Sequence, residues 1–287
     1  MEARTQRRVA VLTDSTADIP RSLVEQYGIH VVPQILIMGT QTWLDGVDID
    51  PPAFYELLRT SPHFPASSQP SVQSFEEAFT RAAQGMEGVV AVLISNELSG
   101  TLNSALTAAN NLPDLAIEII DSRATSMQLG LMVLAAARAA AAGGDLHTVA
   151  NAARSLVGKV PVYFVVDTLE YLHRGGRIGA AARLLGTALN LKPVLEIRDG
   201  IVSPVAKIRT RQKALNKLME LLEEQIKPGD RVHMSLVHVA APQEAAEFCA
   251  QLEARFQPVE MIAAECGPVI GTHAGPGTIG VAYYKEE

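Results

Sequence analysis

The sequence predicts an α/β fold in two domains, an N-terminal three-layer α/β/α domain with a mostly parallel sheet and a C-terminal α+β domain with a mixed sheet. Short apolar strands alternate with helices in the first half, which indicates βαβ units. A hairpin signal at Asp199-Gly200 indicates antiparallel pairing in the second half. The 287 residues fit two domains, since a domain averages roughly 150 residues. We place the boundary near residue 158, which gives domains 1–158 and 159–287.

Hydrophobic pattern and capping residues define the N-terminal elements in order. Residues 9–12 form a short apolar strand, and Pro20 and Gly28 bracket the first helix, because Pro favours helix starts and Gly favours helix ends. The other predictions for this half are a strand over 29–38, helices over 54–60 and 75–83 separated by a Pro/Ser-rich loop over 61–71, a strand over 89–94, a helix from Ser99 through 109, a strand over 116–120, and helices over 123–142 and around 147–156.

The second half mixes hairpin and helical patterns. Apolar residues from Leu215 to Ile226 recur with the i, i+3, i+4, i+7 spacing of an amphipathic helix. The other predicted elements are a strand over 160–166, a helix of small residues that ends at Ala188, hairpin strands over 193–197 and 202–208, a strand over 232–239, a helix over 245–256, and strands over 259–263 and 278–283.

Composition and spacing exclude several classes of function. The net charge of −7 and the 5% aromatic content argue against nucleic-acid partners, which require a basic footprint or stacking rings. The 2 cysteines cannot form a disulfide framework or a four-ligand zinc site, and the histidines lie singly. The G-x-G-x-x-G match at 275–280 is too close to the C-terminus to open a dinucleotide fold. We therefore expect no metal and no cofactor.

The sequence offers no segment for export or for crossing a membrane. The apolar start, residues 9–12, is shorter than the core of a signal peptide. The longest apolar run, residues 129–137, is far below the roughly 18 residues that a bilayer requires. We expect a cytoplasmic protein.

Three segments are candidates for a ligand site. His273 lies among three glycines and a proline in 271–277, where a tight backbone lets a ligand approach closely. Ser95 and Asn96 follow a buried strand and precede a helix, an arrangement that suits an anion. The segment around Ser67 is rich in hydroxyls. Helix capping and an exposed turn are the alternative explanations for the last two segments.

Positive charge is concentrated in one part of the chain. Residues 173–217 carry ten Lys/Arg and two Asp/Glu, a local charge of +8 (10 − 2), although the whole chain is at −7. This segment is either a solvated face or a docking surface for an acidic partner or a phosphate, because such a field steers association.

Six short motifs run in order along nearly the whole chain. They are Thr13-Asp14-Ser15-Thr16-Ala17-Asp18, Asp45-Gly46-Val47-Asp48-Ile49, Ser68-Gln69-Pro70-Ser71, Leu98-Ser99-Gly100-Thr101, Gly175-Gly176-Arg177, and Thr272-His273 with Gly275-Pro276-Gly277. Together they resemble the DegV family, the fatty-acid-binding proteins that serve as the B subunit of bacterial fatty acid kinase.

The resemblance implies one long-chain fatty acid between the two domains. Its carboxylate would be held by Ser67, by Ser95 or Asn96, and by His273 with Thr272 beside it. This chain has Ser67 where the family usually has Thr, and Asn96 where it often has a second Ser. Asn96 can still donate through its amide.

The resemblance also implies a binding subunit without a catalytic residue of its own. A separate ATP-dependent kinase would convert the bound acid to an acyl phosphate for phospholipid synthesis. Arg174 and Arg177 are the candidates for contact with that kinase or with the acyl phosphate. Transient contact with a membrane surface is compatible with such a ligand.

Elementary energetics agree with a lipid ligand. Enclosing about 15 methylenes at roughly 0.8 kcal/mol each offers about 12 kcal/mol before the cost of association. The tail can therefore supply most of the affinity, while the carboxylate, which must be hydrogen-bonded when buried, fixes the register.

Two other functions remain open at this point. One is a Ser/His hydrolase of acyl esters, with Ser95 or Ser67 as nucleophile and His273 as base, although the G-x-S-x-G turn and an orienting acid beside the histidine are missing. The other is a lipid-responsive regulator whose domains close on the ligand.

Overall fold

A computed structural model describes residues 7–186 and 191–286 of the chain. The strands are β1 (Val9–Asp14), β2 (His30–Val32), β3 (Ile35–Met38), β4 (Gln41–Leu44), β5 (Ala66–Ser68), β6 (Gly88–Leu93), β7 (Ile117–Asp121), β8 (Val162–Val165), β9 (Val194–Arg198), β10 (Ile201–Ala206), β11 (Val232–His238), β12 (Glu260–Glu265) and β13 (Ile279–Lys285).

The helices surround these strands. They are α1 (Arg21–Tyr27), α2 (Pro51–Thr60), α3 (Val72–Ala82), α4 (Thr101–Asn110), α5 (Ser126–Ala141), α6 (Leu146–Arg154), α7 (Glu170–Arg174), α8 (Arg211–Gln225), α9 (Pro242–Phe256) and α10 (Pro268–Ala274), with 3-10 turns over Ser15–Ala17 and Gly179–Leu184. Within the described ranges, no helix combines the length and the apolar character needed to cross a bilayer.

The strands form three sheets. β2, β1, β6 and β7 pair in parallel in that order. β4, β3 and β5 form a small antiparallel sheet. The order β10-β9-β8-β13-β11-β12 makes a mixed sheet, in which β11 and β12 are parallel and the other pairs antiparallel. The parallel sheet in the N-terminal region and the mixed sheet in the C-terminal region confirm the predicted α/β fold class.

Both faces of the parallel sheet are buried. Alternate residues of β1 enter different cores, because successive side chains of a strand point to opposite faces. Val9 and Val11 pack on the side of α5, whereas Ala10 and Leu12 pack on the side of Phe75 in α3. A strand buried on both faces reads as a continuous apolar run, which is why the start of the sequence identifies it.

Helix α5 lies between the parallel sheet and the mixed sheet and contacts both. Leu129, Leu131 and Leu134 are fully buried, and the helix is apolar around its whole circumference. Val237 and Ala282 of the mixed sheet belong to the same core as α5. One continuous core therefore joins the two sheets. The boundary near residue 158 stays a prediction.

The outer face of the mixed sheet is covered by α8 and α9. Leu215, Leu218 and Leu222 of α8 are buried there, as the helical spacing predicted, and Phe248 and Leu252 of α9 pack in the same core.

The predicted strand over 29–38 is wrong in one respect, because it is two strands. The chain leaves the parallel sheet after β2 at Pro33, which has no N–H for a ladder bond. The backbone N–H of Gln34 donates to Ser15 Oγ at 3.0 Å. Its side-chain amide donates to Asp14 Oδ1 at 3.1 Å and to Thr101 Oγ1 at 2.8 Å. These bonds redirect the chain into β3 of the small sheet.

Four further differences concern segments near the cavity. The predicted loop over 61–71 contains β5, and the tight segment over 271–277 begins inside α10. The long helix starts at Ser126 instead of residue 123. Arg123 and Ser126 have φ of 53° and 51°, and such left-handed backbone conformations prevent a regular right-handed helix from forming before this point. In place of the helix of small residues there are α7 and a 3-10 turn, and its predicted end, Ala188, lies outside the described residues.

Candidate functional site

A cavity opens where β5, the start of α5, α10 and the mixed sheet meet. It holds about 900 Å³ of space when its mouth is included. The apolar lining comes mainly from the mixed sheet and α10: Val162, Phe164, Ile197, Val202, Val237, Val269 and Ile270. The polar lining comes mainly from the N-terminal half: Thr16, Gln34, Ser67, Ser68, Gln69 and Ser99. One wall of the cavity is thus apolar, and the other carries hydroxyls and amides.

Ser67 and His273 meet in this lining. Ser67 Oγ lies 2.7 Å from His273 Nε2, a hydrogen-bond distance. Ser67 is held by β5, where it pairs with Leu36 of β3. His273 is in the last turn of α10. The structure therefore brings into contact two residues, 206 positions apart, that the sequence analysis proposed for one ligand site.

His273 is neutral at physiological pH. Burial and, to a smaller extent, the Arg177 guanidinium lower the pKa of His273 to about 4. Its Nδ1 is buried without a hydrogen-bond partner among the described residues. Gly175 packs so closely on this side that a Cβ there would collide with Nδ1. The ring can therefore donate or accept at Nε2 as its tautomer dictates, but it carries no charge.

Arg177 lines the cavity, and Arg174 does not. The Arg177 side chain donates from Nε to Leu98 O at 3.0 Å and from one terminal nitrogen to Gly175 O at 2.7 Å. These bonds fix its guanidinium beside the Ser67–His273 pair. Arg174 is exposed, pairs with Glu170 at 3.2 Å, and lies 4.8 Å from the centre of the Phe64 ring.

The other proposed head-group residues lie outside the cavity lining. Ser95 is fully buried, and its Oγ donates to Gly200 O at 3.0 Å. Asn96 is exposed. Thr272 is fully buried and donates to Pro268 O at 2.9 Å within α10. The hydroxyls of Ser95 and Thr272 are thus engaged by backbone carbonyls, so these residues shape the surrounding backbone and do not face the cavity.

Sequence reasoning missed several polar residues of the lining. Thr16 Oγ1 donates to Asp14 at 2.5 Å, and Ser126 Oγ donates to Asp18 at 2.5 Å. Gln34 also lines the cavity. Thr16 and Asp18 belong to the first of the six motifs, but the position of Gln34 depends on the break between β2 and β3, for which Pro33 is the one local signal.

The fold and the cavity define an α/β protein with a largely apolar cavity of the kind in which proteins bind small molecules. A family model described as "Uncharacterised protein, DegV family" matches residues 8–286. A DegV domain-containing protein of Clostridium perfringens is 36% identical over 282 residues, which span 97% of this chain and 99% of the relative. The chain belongs to the DegV family.

Solved structures of relatives share the fold. A DegV family protein from Thermus thermophilus, described by its fatty acid binding, superposes with a TM-score of 0.91 at 33% identity, covering 97% of this chain and 100% of that one. DegV from Bacillus subtilis, described as a fatty acid binding protein, gives a TM-score of 0.91 at 30% identity, covering 98% and 100%.

Replacement of Arg177 tests the electrostatics of the site. We expect Arg177→Ala to raise the pKa of His273 from about 4, because the neighbouring positive charge that disfavours imidazolium is lost. Arg174→Ala is the matched control and should leave the titration unchanged. NMR titration of the imidazole measures both. Protonation of His273 in the wild type above pH 6 would contradict this account.

Proposed function

We propose that this protein binds one long-chain fatty acid in the cavity and presents its carboxylate to a separate ATP-dependent kinase. The observation that carries the proposal is the Ser67–His273 pair in the lining of an otherwise largely apolar cavity. The fatty acid binding described for relatives from Thermus thermophilus and Bacillus subtilis supports the same ligand class.

The apolar wall of the cavity, formed by the mixed sheet and α10, is suited to an alkyl chain. Removing methylenes from water yields roughly 0.8 kcal/mol each, so a chain of about 15 gains more than its head group can. The cost of lost translational and rotational freedom is of a similar order, which is why a snug cavity is needed. Affinity then comes from the tail, and the head group sets the register.

The polar pair suits a carboxylate that must stay reactive. In the tautomer protonated at Nε2, His273 donates to Ser67 Oγ, which leaves the Ser67 hydroxyl proton for the ligand. Arg177 adds a positive charge nearby. Because these donors leave room at the carboxylate, one oxygen remains free to react. We propose Ser95 and Thr272 as supports of the surrounding backbone. Contact of the exposed Asn96 with the carboxylate stays a prediction.

The kinase step is a phosphoryl transfer. A carboxylate oxygen of the bound acid forms a bond to the γ-phosphorus of ATP, the bond from that phosphorus to the β–γ bridging oxygen breaks, and ADP leaves with the electron pair. Such a reaction depends on positioning and charge neutralisation. The partner supplies ATP, which fits a cytoplasmic location, and the exposed Arg174 with Arg177 is the surface we propose for contact with the partner or with the acyl phosphate.

Native mass spectrometry of the purified protein tests the ligand. We expect a copurified acid of about 16 to 18 carbons, because the gain from burying methylenes favours a long chain. Extraction and gas chromatography identify it. Failure to retain an acid, together with no uptake of added palmitate, would overturn the proposal.

Replacement of the polar pair tests the division of labour between tail and head group. We expect Ser67→Ala and His273→Ala to lower phosphorylation of the bound acid about tenfold or more and to change affinity only severalfold, since a neutral hydrogen bond contributes about 1 kcal/mol. His147→Ala and Ser155→Ala, both exposed on or next to α6, are the matched controls. Equal losses of affinity and phosphorylation would contradict this division.

The short Ser67–His273 distance also favours a second candidate, an acyl-ester hydrolase with Ser67 as nucleophile. Two observations weigh against it. The pKa of His273 is lowered to about 4, which makes the ring a weak base, and its Nδ1 has no orienting acid among the described residues. The hydroxyl of Ser95, the other candidate nucleophile, already donates a hydrogen bond to Gly200 O.

A nitrophenyl ester distinguishes the two candidates. We expect no burst of nitrophenol, because an unoriented imidazole of low pKa does not activate serine. A burst that Ser67→Ala removes and Ser155→Ala preserves would establish the hydrolase instead.

A further inference from the structure

The joint between β12 and α10 is held by the N-terminal half of the chain. Asp18 Oδ1 accepts the backbone N–H of Gly267 at 2.8 Å. The Asp45 carboxylate accepts a hydrogen bond from the backbone N–H of Val269. Tyr55 donates its hydroxyl to Cys266 O at 2.6 Å. Three side chains from separate elements thus bond consecutive parts of this joint.

The local sequence of the joint cannot cap α10 itself. Gly267, at the N-cap position, has no side chain, and Pro268 has no N–H. Orphan amides at a helix start are normally bonded by a nearby side chain. Here carboxylates more than 200 residues earlier in the chain do so: the Gly267–Asp18 bond spans 249 positions. Both acids belong to motifs, Thr13–Asp18 and Asp45–Ile49, that the proposed function does not use.

The two carboxylates are close to each other and to the cavity wall. A Cβ on Gly267 would lie 3.3 Å from Oδ1 of both Asp18 and Asp45. Ser126, which lines the cavity, donates to Asp18 at 2.5 Å, and Ser15 donates to Asp45 at 2.7 Å. His273 lies six positions after Gly267, about 9 Å along a helix axis. A shift of the joint therefore moves the imidazole.

We propose that Asp18 and Asp45 are positioning residues for the head-group site, which hold α10 and thereby the contact of His273 with Ser67, and that their ionisation tunes this hold. The inference rests on the proposed function, because it concerns the same fatty-acid site.

The two carboxyl groups ionise near neutral pH because they are buried. Burial, the largest cause, raises the pKa of Asp18 to about 7 and that of Asp45 to about 7, against the hydrogen bonds that lower both. The titratable and charged groups that face them from the neighbouring elements are Asp14, Arg21, Tyr55, Glu265 and Cys266.

The sign of the effect follows from these shifts. An ionised carboxylate is the stronger acceptor for an amide, so the joint is held more firmly above pH 7 than below it. The free energy of unfolding of the whole protein changes with pH in the opposite direction. A carboxyl whose pKa rises on folding favours the native state at low pH, and this contribution is lost as pH rises through 7.

Asp18→Asn is the discriminating variant, because it keeps an acceptor for Gly267 and removes the charge. We expect the Gly267 amide proton of the wild type to titrate with a midpoint near 7 by NMR and palmitate affinity to tighten about three- to tenfold from pH 6 to 8.5. In Asp18→Asn the Gly267 amide should no longer titrate, and the change in palmitate affinity should be clearly smaller, because only the Asp45 carboxylate still ionises. Asp48→Asn, an exposed acid of the Asp45 motif that accepts from Leu44 N, is the matched control with the wild-type profile.

The outcomes separate the inference from the function on which it rests. Palmitate binding with the same pH profile in the wild type and in Asp18→Asn overturns the inference and leaves the proposed function intact. Failure of the wild type to bind palmitate at any pH overturns both. Should Asp18→Asn fail to fold, Asp45→Asn with the Val269 amide as the probe gives the same decision.

Discussion

The hydrogen bond between Ser67 and His273 is the contact on which the candidate site depends. It joins a short strand of the N-terminal half to a helix of about two turns near the end of the chain, and neither element is stable alone. β5 exists because β3 pairs with it, and β3 exists because Pro33 and Gln34 release the chain from the parallel sheet. α10 exists because remote carboxylates bond its first amides. The pair is therefore a product of tertiary structure.

The cavity has two chemically different walls because different sheets contribute to them. The carboxyl ends of the parallel strands supply polar residues such as Thr16 and Ser99, the residue types that open α/β sheets place at their ligand edge. β5 of the small antiparallel sheet adds Ser67 and Ser68. The mixed sheet supplies Val162, Phe164 and Val237 from the same face that packs on α5. A ligand with one polar end and one long apolar end is the chemical complement of such a space. Arg177, one of the basic residues of segment 173–217, is held at the polar end by its bonds to Leu98 O and Gly175 O.

Much of the fold was readable from the sequence, because strands buried on both faces and an amphipathic α8 leave periodic signals. The site was only half readable. His273 and Ser67 stand out through unusual local composition, whereas Gln34 and Ser126 reach the cavity only through a strand break and a helix start with positive φ. Ser95 and Asn96 stay predictions, because a polar strand end can either bind a ligand or support the backbone, and here the Ser95 hydroxyl donates to Gly200 O in the hairpin turn. A spacing in sequence cannot distinguish these uses, since the deciding partner lies 105 residues away.

The shared position of α5 limits how this molecule can exchange whatever it encloses. Separation of the two sheets as rigid bodies would expose Leu129, Leu131 and Leu134 of α5 to water. This exposure would cost roughly 25 cal/mol for each Å² of apolar surface. Small elements at the rim, such as β5 and α7, bury far less and break few ladder bonds when they shift. We therefore expect a bound molecule to enter and leave past these small elements at the opening, while the two sheets stay packed on α5.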